Sequence, residues 1–178
     1  MDEKTVMQAA KRLQIELEGL GLGETPPSHP AAPKPKDFAG LYDIVVRAEK
    51  LRDATRGLFV DGHYARAVEE AYKCLNNVVK AKSGLPKDGQ DLMMQAFSEK
   101  NPILRINDLR TESHRNEQIG YMFVFAGCMT GIRNPRAHEH ELWDLPDVAL
   151  EMLAWANHLM RIVDKAKRVR KRKKASTP

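Results

Sequence analysis

A chain of 178 residues, 42% of them hydrophobic, has material for one compact domain with appendages. Its net charge of +5 excludes less than it suggests: nine basic residues and one acid lie in 161–174, leaving 20 basic against 23 acidic residues, a net of −3, in 1–160. A uniformly basic domain is therefore excluded, as is a membrane span, because no apolar run approaches the ~20 residues that cross a bilayer.

Met1-Asp2-Glu3-Lys4-Thr5 lacks the apolar core of a signal peptide, so a soluble, cytoplasmic protein without membrane contact is expected. Cys74 and Cys128 both fall in apolar helical patterns, where a thiol acts as a small hydrophobe in a reducing compartment. Val6, Ala10, Leu13, Leu17 and Leu20 share one face of an N-terminal amphipathic helix over 1–22. That helix packs either on a second copy or a partner protein, as a coiled-coil arm, or back on its own domain. Pro26, Pro27, Pro30, Pro33 and Pro35 make 23–36 an extended linker.

The main domain is predicted over 37–168. Asp37 is its N-cap, and Phe38, Leu41, Val45, Ala48, Leu51, Thr55 and Leu58 form one helical stripe that closes at Asp61-Gly62. Tyr64, Val68, Ala71, Leu75 and Val78 predict a second helix to about Lys82, antiparallel to the first and stopped by Ser83-Gly84-Leu85-Pro86. A short helix follows over Asp91 to Phe97, then a long loop over Ile103 to Ser113. From Glu117 to Ile132 the residues are apolar almost all round. Gly120, Gly127 and Gly131 in that run predict a buried helix against which another backbone packs closely. The last helix starts at Asp147 and repeats Val148, Met152, Trp155, Leu159, Ile162, Ala166 and Val169 before a basic tail over 169–178. With no strand pattern in competition, the fold class is all-α.

Between the two last helices stands Arg133-Asn134-Pro135-Arg136-Ala137-His138-Glu139-His140-Glu141. Pro135 disfavours helical geometry at Asn134, so the helix is predicted to end near Arg133 and to turn outward. Arginine offers a planar, permanently charged fork suited to a phosphodiester, and histidine exchanges a proton near neutrality. RNA cleavage needs both: a base takes the 2′-hydroxyl proton, the phosphorane gathers negative charge, and the leaving 5′-oxygen is protonated. The spacing alone is weak evidence and fits a surface charge beside a helix cap better.

The stretch Gly131 to Glu139 resembles the motif of the Ymh family within the HEPN superfamily. So do His63-Tyr64-Ala65-Arg66-Ala67-Val68-Glu69-Glu70-Ala71, Asp91-Leu92-Met93 with Ala96-Phe97, and Glu117-Gln118-Ile119-Gly120-Tyr121, in the same order. The resemblance covers about 37–168. It implies a HEPN-type four- to five-helix bundle that forms a homodimer, two copies of the motif facing each other across one cleft. It further implies a metal-independent endoribonuclease acting on an RNA substrate, in toxin–antitoxin, abortive-infection or other antiviral defence systems, with no cofactor. By the same resemblance Arg133 stabilises the scissile phosphate, His138 is general base or acid, and Asn134 holds the phosphate or orients His138. Arg136 lies in the variable spacer, and its charge alone suggests RNA binding or plain exposure to solvent. His140 stands where related toxins silenced by nucleotide transfer carry tyrosine, so control by that route is not implied.

Other residues carry blander readings. His138 and His140 alone make a weak metal site, so no metal is expected. His29, His63, His114 and His158 read as solvated or capping, and Glu69 and Glu70 as solvent-facing carboxylates with a lesser option of supporting the motif. Trp143 reads as a plug over the bundle end rather than a platform for a base. The competing function is a catalytically silent dimeric interaction or nucleic-acid-binding module that works through the basic tail, and a neutralising or activating protein partner is compatible with either.

Overall fold

The structure, a computed structural model, describes 35–139 and 142–169, together with helical backbone at Met7, Gln8, Lys11, Arg12, Ile15, Glu16 and Gly19. Contacts divide the chain into two units, Met1–Lys34 and Pro35–Pro178. The apolar face predicted for the N-terminal helix, the linker through Lys34 and the tail beyond Val169 lie outside the described residues.

The second unit is a mostly helical bundle, in keeping with the all-α expectation. In chain order it comprises α1 (Pro35–Val45), α2 (Glu49–Val60), α3 (Tyr64–Ser83), α4 (Gly89–Ala96), β1 (Leu104–Arg105), α5 (Glu112–Cys128), a π-helical turn (Met129–Arg133), α6 (Asn134–His138), α7 (Pro146–Lys165) and β2 (Lys167–Arg168). The last two linker residues, Pro35 and Lys36, thus belong to α1, where a first-turn proline loses no bond because its missing N–H had no helical partner. Among the described residues no helix is long and apolar enough to cross a membrane.

The single stripe predicted from Asp37 to Leu58 is two helices. Asn157 on α7 causes the break: its Oδ1 accepts the N–H groups of Arg47 (2.8 Å) and Ala48 (2.9 Å), drawing two backbone donors out of any helical ladder. The core face shifts accordingly to Tyr42, Val46, Leu51, Thr55 and Phe59, with Tyr42 Oη and Thr55 Oγ1 hydrogen-bonded at 2.7 Å. Helix α3 keeps its predicted limits, packs on both α2 and α7, and ends on Gly84 at φ 71°, the left-handed conformation that favours glycine.

The predicted long loop is partly structured. Thr111 Oγ1 accepts the His114 N–H and caps α5 at Glu112, five residues before the predicted start. Buried Gln118 on α5 staples the preceding segment: its Nε2 donates to the carbonyls of Phe97 (2.9 Å) and Leu104 (3.0 Å), and its Oε1 accepts the Ile106 N–H (3.0 Å). The Phe97 and Phe125 rings stack beside it with centroids 4.5 Å apart. Leu104 and Arg105 then pair antiparallel with Arg168 and Lys167, and Val169 N–H donates to Ile103 carbonyl oxygen at 2.9 Å. The last helix therefore stops at Lys165 instead of running on through Val169, because the backbone beyond it bonds to β1.

The buried face of α7 also differs from the predicted ridge. Ala149, Leu153, Ala156, Met160 and Val163 enter the core beside Leu159, whereas Trp155 remains 43% exposed. Both sets recur at helical spacing. The set with two alanines faces inward because small side chains let α7 approach the long helix α3 closely.

Asn157→Leu keeps an apolar interior but leaves the Arg47 and Ala48 donors unpaired. The expected cost is about 2 kcal/mol or more of unfolding free energy in urea titrations; an unchanged midpoint would refute this account of the helix break.

Candidate functional site

Helix α5 does not end at the motif. Asn134 has φ −63° and ψ −44°, fully right-handed helical, and Pro135 sits in the first turn of α6. The outward turn predicted at Pro135 is replaced by a change of helical pitch. In an α-helix the ring of Pro135 would collide with the carbonyl of Gly131 and leave it without a donor. Here the backbone widens just before it, and Asn134 N–H bonds to the Met129 carbonyl five residues back. Thr130 Oγ1 turns back onto the Ala126 carbonyl at 3.2 Å within the same segment. The π turn thus creates the room that the proline needs.

The consequence is a one-turn helix that carries Asn134 and His138 next to the core, with Arg133 closing the π turn before it. Asn134 and His138 are four apart and share a face. His138 is exposed and Asn134 half-buried; Glu139 leaves the helix at φ −99°, ψ 108°. Arg133 is half-buried, its Nη1 3.5 Å from Asn134 Oδ1, a long contact. Its Nε is buried with no hydrogen-bond partner, and no carboxylate lies within 4.0 Å of it among the described residues.

Arg136 is the opposite case. Its side chain, like that of Asp144, is only 7% exposed; Nε donates to Asp144 Oδ2 at 2.7 Å, Nη2 to Oδ1 at 2.6 Å, and Nη1 to the Ile132 carbonyl at 2.9 Å. Its fork ties α6 to the segment leading into α7, so the alternative of plain exposure to solvent does not hold for Arg136. Trp143, predicted as a plug, stands beside Asp144 at 75% exposure. Nothing in the described chain covers it.

Several residues that sequence reasoning passed over gather near Arg133. Asp88, just before α4, accepts from Asn76 Nδ2 (3.0 Å) and Lys80 Nζ (2.6 Å), while Asn76 Oδ1 accepts the Gly89 N–H (2.8 Å). Lys80 and Asn76, with a further contribution from the Arg133 charge, hold the Asp88 carboxyl below the usual carboxylate range. Asn76 comes from α3 and Asp88 from the α3–α4 connection, some fifty residues before the motif, so no spacing could have joined them to it.

Glu69 is buried, not solvent-facing. Burial pushes its carboxyl up, but Lys73 Nζ (2.7 Å) and Arg66 Nη1 (2.6 Å) outweigh that and hold it low. His158 is packed rather than solvated: Nε2 lies 2.8 Å from Tyr121 Oη, and the Trp155 ring stacks on the imidazole with centroids 5.6 Å apart. Both cysteines are free thiols, and burial pushes each upward from its ordinary value. Among the described residues no three His, Cys, Asp or Glu side chains form a metal-holding group; His140 and Glu141 are outside that set.

The glycines of α5 are not close-packed within the chain. A Cβ built on Gly120, Gly127 or Gly131 meets nothing within 4 Å, and Phe123 on the same face is 57% exposed. The predicted tight neighbour is absent from the described residues of this one chain.

A family described as "Protein of unknown function (Hypoth_ymh)" matches residues 48–163, a span that runs from the start of α2 to the end of α7 and includes the whole motif. No curated protein and no solved structure matches this chain.

Arg136→Ala strands a buried carboxylate, so a loss of about 3 kcal/mol of stability is expected in chemical denaturation. A stable Arg136→Ala protein that merely bound RNA less well would return Arg136 to the ligand-contacting set.

Proposed function

This chain belongs to the Hypoth_ymh family, whose function is unknown, and we propose that it is a metal-independent endoribonuclease of the HEPN kind, serving a toxin or antiviral defence role. One observation carries the reading: of the two motif arginines, Arg136 is spent on a buried ion pair, whereas Arg133, five residues before exposed His138, keeps an unpartnered Nε and a fork without a carboxylate among the described residues. A buried donor without an acceptor is costly, and an anionic oxygen would relieve it. A phosphodiester supplies such an oxygen.

The chemistry follows from the residue types. Arg133 neutralises the phosphorane as the 2′-oxygen bonds to phosphorus, and the bond to the 5′-oxygen breaks. One His138 takes the 2′-proton, and a second donor returns a proton to the 5′-oxygen. Asn134 accepts or donates at the phosphate or holds the imidazole. A single chain offers one His138 on this helix, so the second comes from another copy. The uncovered face of α5 supports that arrangement: Gly120, Phe123 and Gly127 form an exposed strip leading to the motif, and an isologous pairing through it brings two motifs to one cleft.

The test is cleavage of labelled single-stranded and structured RNA in EDTA. Arg133→Ala and His138→Ala are each expected to lower the rate at least about 100-fold while leaving the fold intact. Cleavage that needs a divalent cation, or that survives both substitutions, would contradict the proposal.

Phe123→Glu probes the pairing separately. Because the side chain is already exposed in the single chain, circular dichroism should not change. Sedimentation is expected to shift from dimer to monomer with loss of cleavage, and an active monomer would rule out the shared site.

A further inference from the structure

The short sheet at the far end of the bundle sets like charges against each other. Arg105 pairs directly with Lys167, and Leu104 with Arg168, across a ladder only two residues long. Like charges directly opposite in an antiparallel pair are destabilising, and this ladder has few backbone bonds to offset them. Neither Arg105, Lys167 nor Arg168 has a carboxylate within 4.0 Å among the described residues, and the same holds for Lys100 and Lys165. All five are exposed. Asp108, which lines a cleft with Arg105, Lys167 and Arg168, is committed to Arg110 at 2.9 Å and His114 at 2.6 Å.

These cations line concave surface. Two adjoining clefts of about 850 and 450 Å³ share Arg105 and Arg168; Lys100 lines the first, and Lys165 and Lys167 the second. The Arg168 guanidinium lies over Gly84, with Nη2 only 2.7 Å from where a Cβ would stand. Glycine is favoured there by its φ of 71°, and the exposed guanidinium packs over the bare Cα. In sequence, Arg170-Lys171-Arg172-Lys173-Lys174 follow directly from this edge.

We propose that the Arg105–Lys167–Arg168 edge is a second RNA-binding surface that grips the phosphate backbone at the end of the bundle opposite the Arg133–His138 motif. Helices α5 and α7 both run between the two regions, and from Gln118, which bonds to Leu104 and Ile106, the chain rises by about 20 Å to Arg133. Phosphates threaded along the clefts would supply the countercharge that the ladder lacks. An anionic bilayer is the weaker match. Membrane-surface elements pair their cations with exposed apolar side chains, and none of the exposed large hydrophobic residues lies at these clefts. The surface does not depend on whether the motif cleaves RNA.

The experiment uses the full chain carrying His138→Ala, so that bound RNA is not consumed, with and without Arg105→Gln, Lys167→Gln and Arg168→Gln. Binding of a fluorescent single-stranded RNA is followed by anisotropy from 50 to 200 mM salt. Removing three phosphate contacts is expected to make the slope of log affinity against log salt shallower by about 2, so the parent loses about 20-fold more affinity across that range than the triple variant. Arg105→Glu separates binding from folding. It places opposite charges across the ladder, so melting temperature should hold or rise while RNA affinity falls. An RNA affinity and salt slope unchanged in both variants would overturn the proposal. So would loss of binding to phosphatidylserine vesicles alone, which would reassign the surface to membranes.

Discussion

The geometry of the motif depends on one buried tie, the bidentate bond from Arg136 to Asp144. A five-residue helix has too few internal hydrogen bonds to persist alone, and α6 follows a π turn and contains a proline. Arg136 anchors it twice, to Asp144 ahead of α7 and to the Ile132 carbonyl behind. With both ends held, Arg133 and His138 become positions on a rigid element rather than residues of a loop. The pair is stabilising only because both charges are matched in geometry and hydrogen bonding; at 7% exposure, either partner alone would be a buried, uncompensated charge.

That division of labour between two arginines three residues apart is what gives the motif chemical meaning. Identical side chains meet different surroundings, one engaged through all three of its nitrogens and one left with an unpartnered nitrogen. Around the second, α3 and the start of α4 contribute Asn76, Lys80 and Asp88, so that the field at Arg133 is shaped by parts of the chain remote in sequence. The uncovered strip on α5 and the exposed Trp143 lie on the chain flanking the same region, which fits a site completed by a second copy.

Much of the architecture was legible in periodicity. The limits of α3, the short helix near Leu92 and Met93, and the absence of long strands among the described residues all follow from apolar spacing and from Gly84 after Ser83. What escaped depended on long-range hydrogen bonds. Nothing near Val46 reveals that a carboxamide 110 residues later will break the helix at Arg47. Nothing in the tail reveals that Lys167 and Arg168 will pair with Leu104 and Arg105. Pro135 was a true local signal read too simply: it forbids a regular α-turn, and the chain complies by widening the turn rather than by leaving the helix. For the candidate site, the family resemblance singled out Arg133, Asn134 and His138 where spacing alone did not, and only the fold distinguishes Arg136 from Arg133.

If the motif cleaves RNA as proposed, the ends of the products report which bond is broken and which group attacks it. Attack by the ribose 2′-hydroxyl leaves a 2′,3′-cyclic phosphate on one fragment and a 5′-hydroxyl on the other, and mass spectrometry of RNA digested in EDTA is expected to find that pair. Fragments ending in 3′-hydroxyl and 5′-phosphate would mean that water, not the neighbouring hydroxyl, is the nucleophile, and would contradict the account.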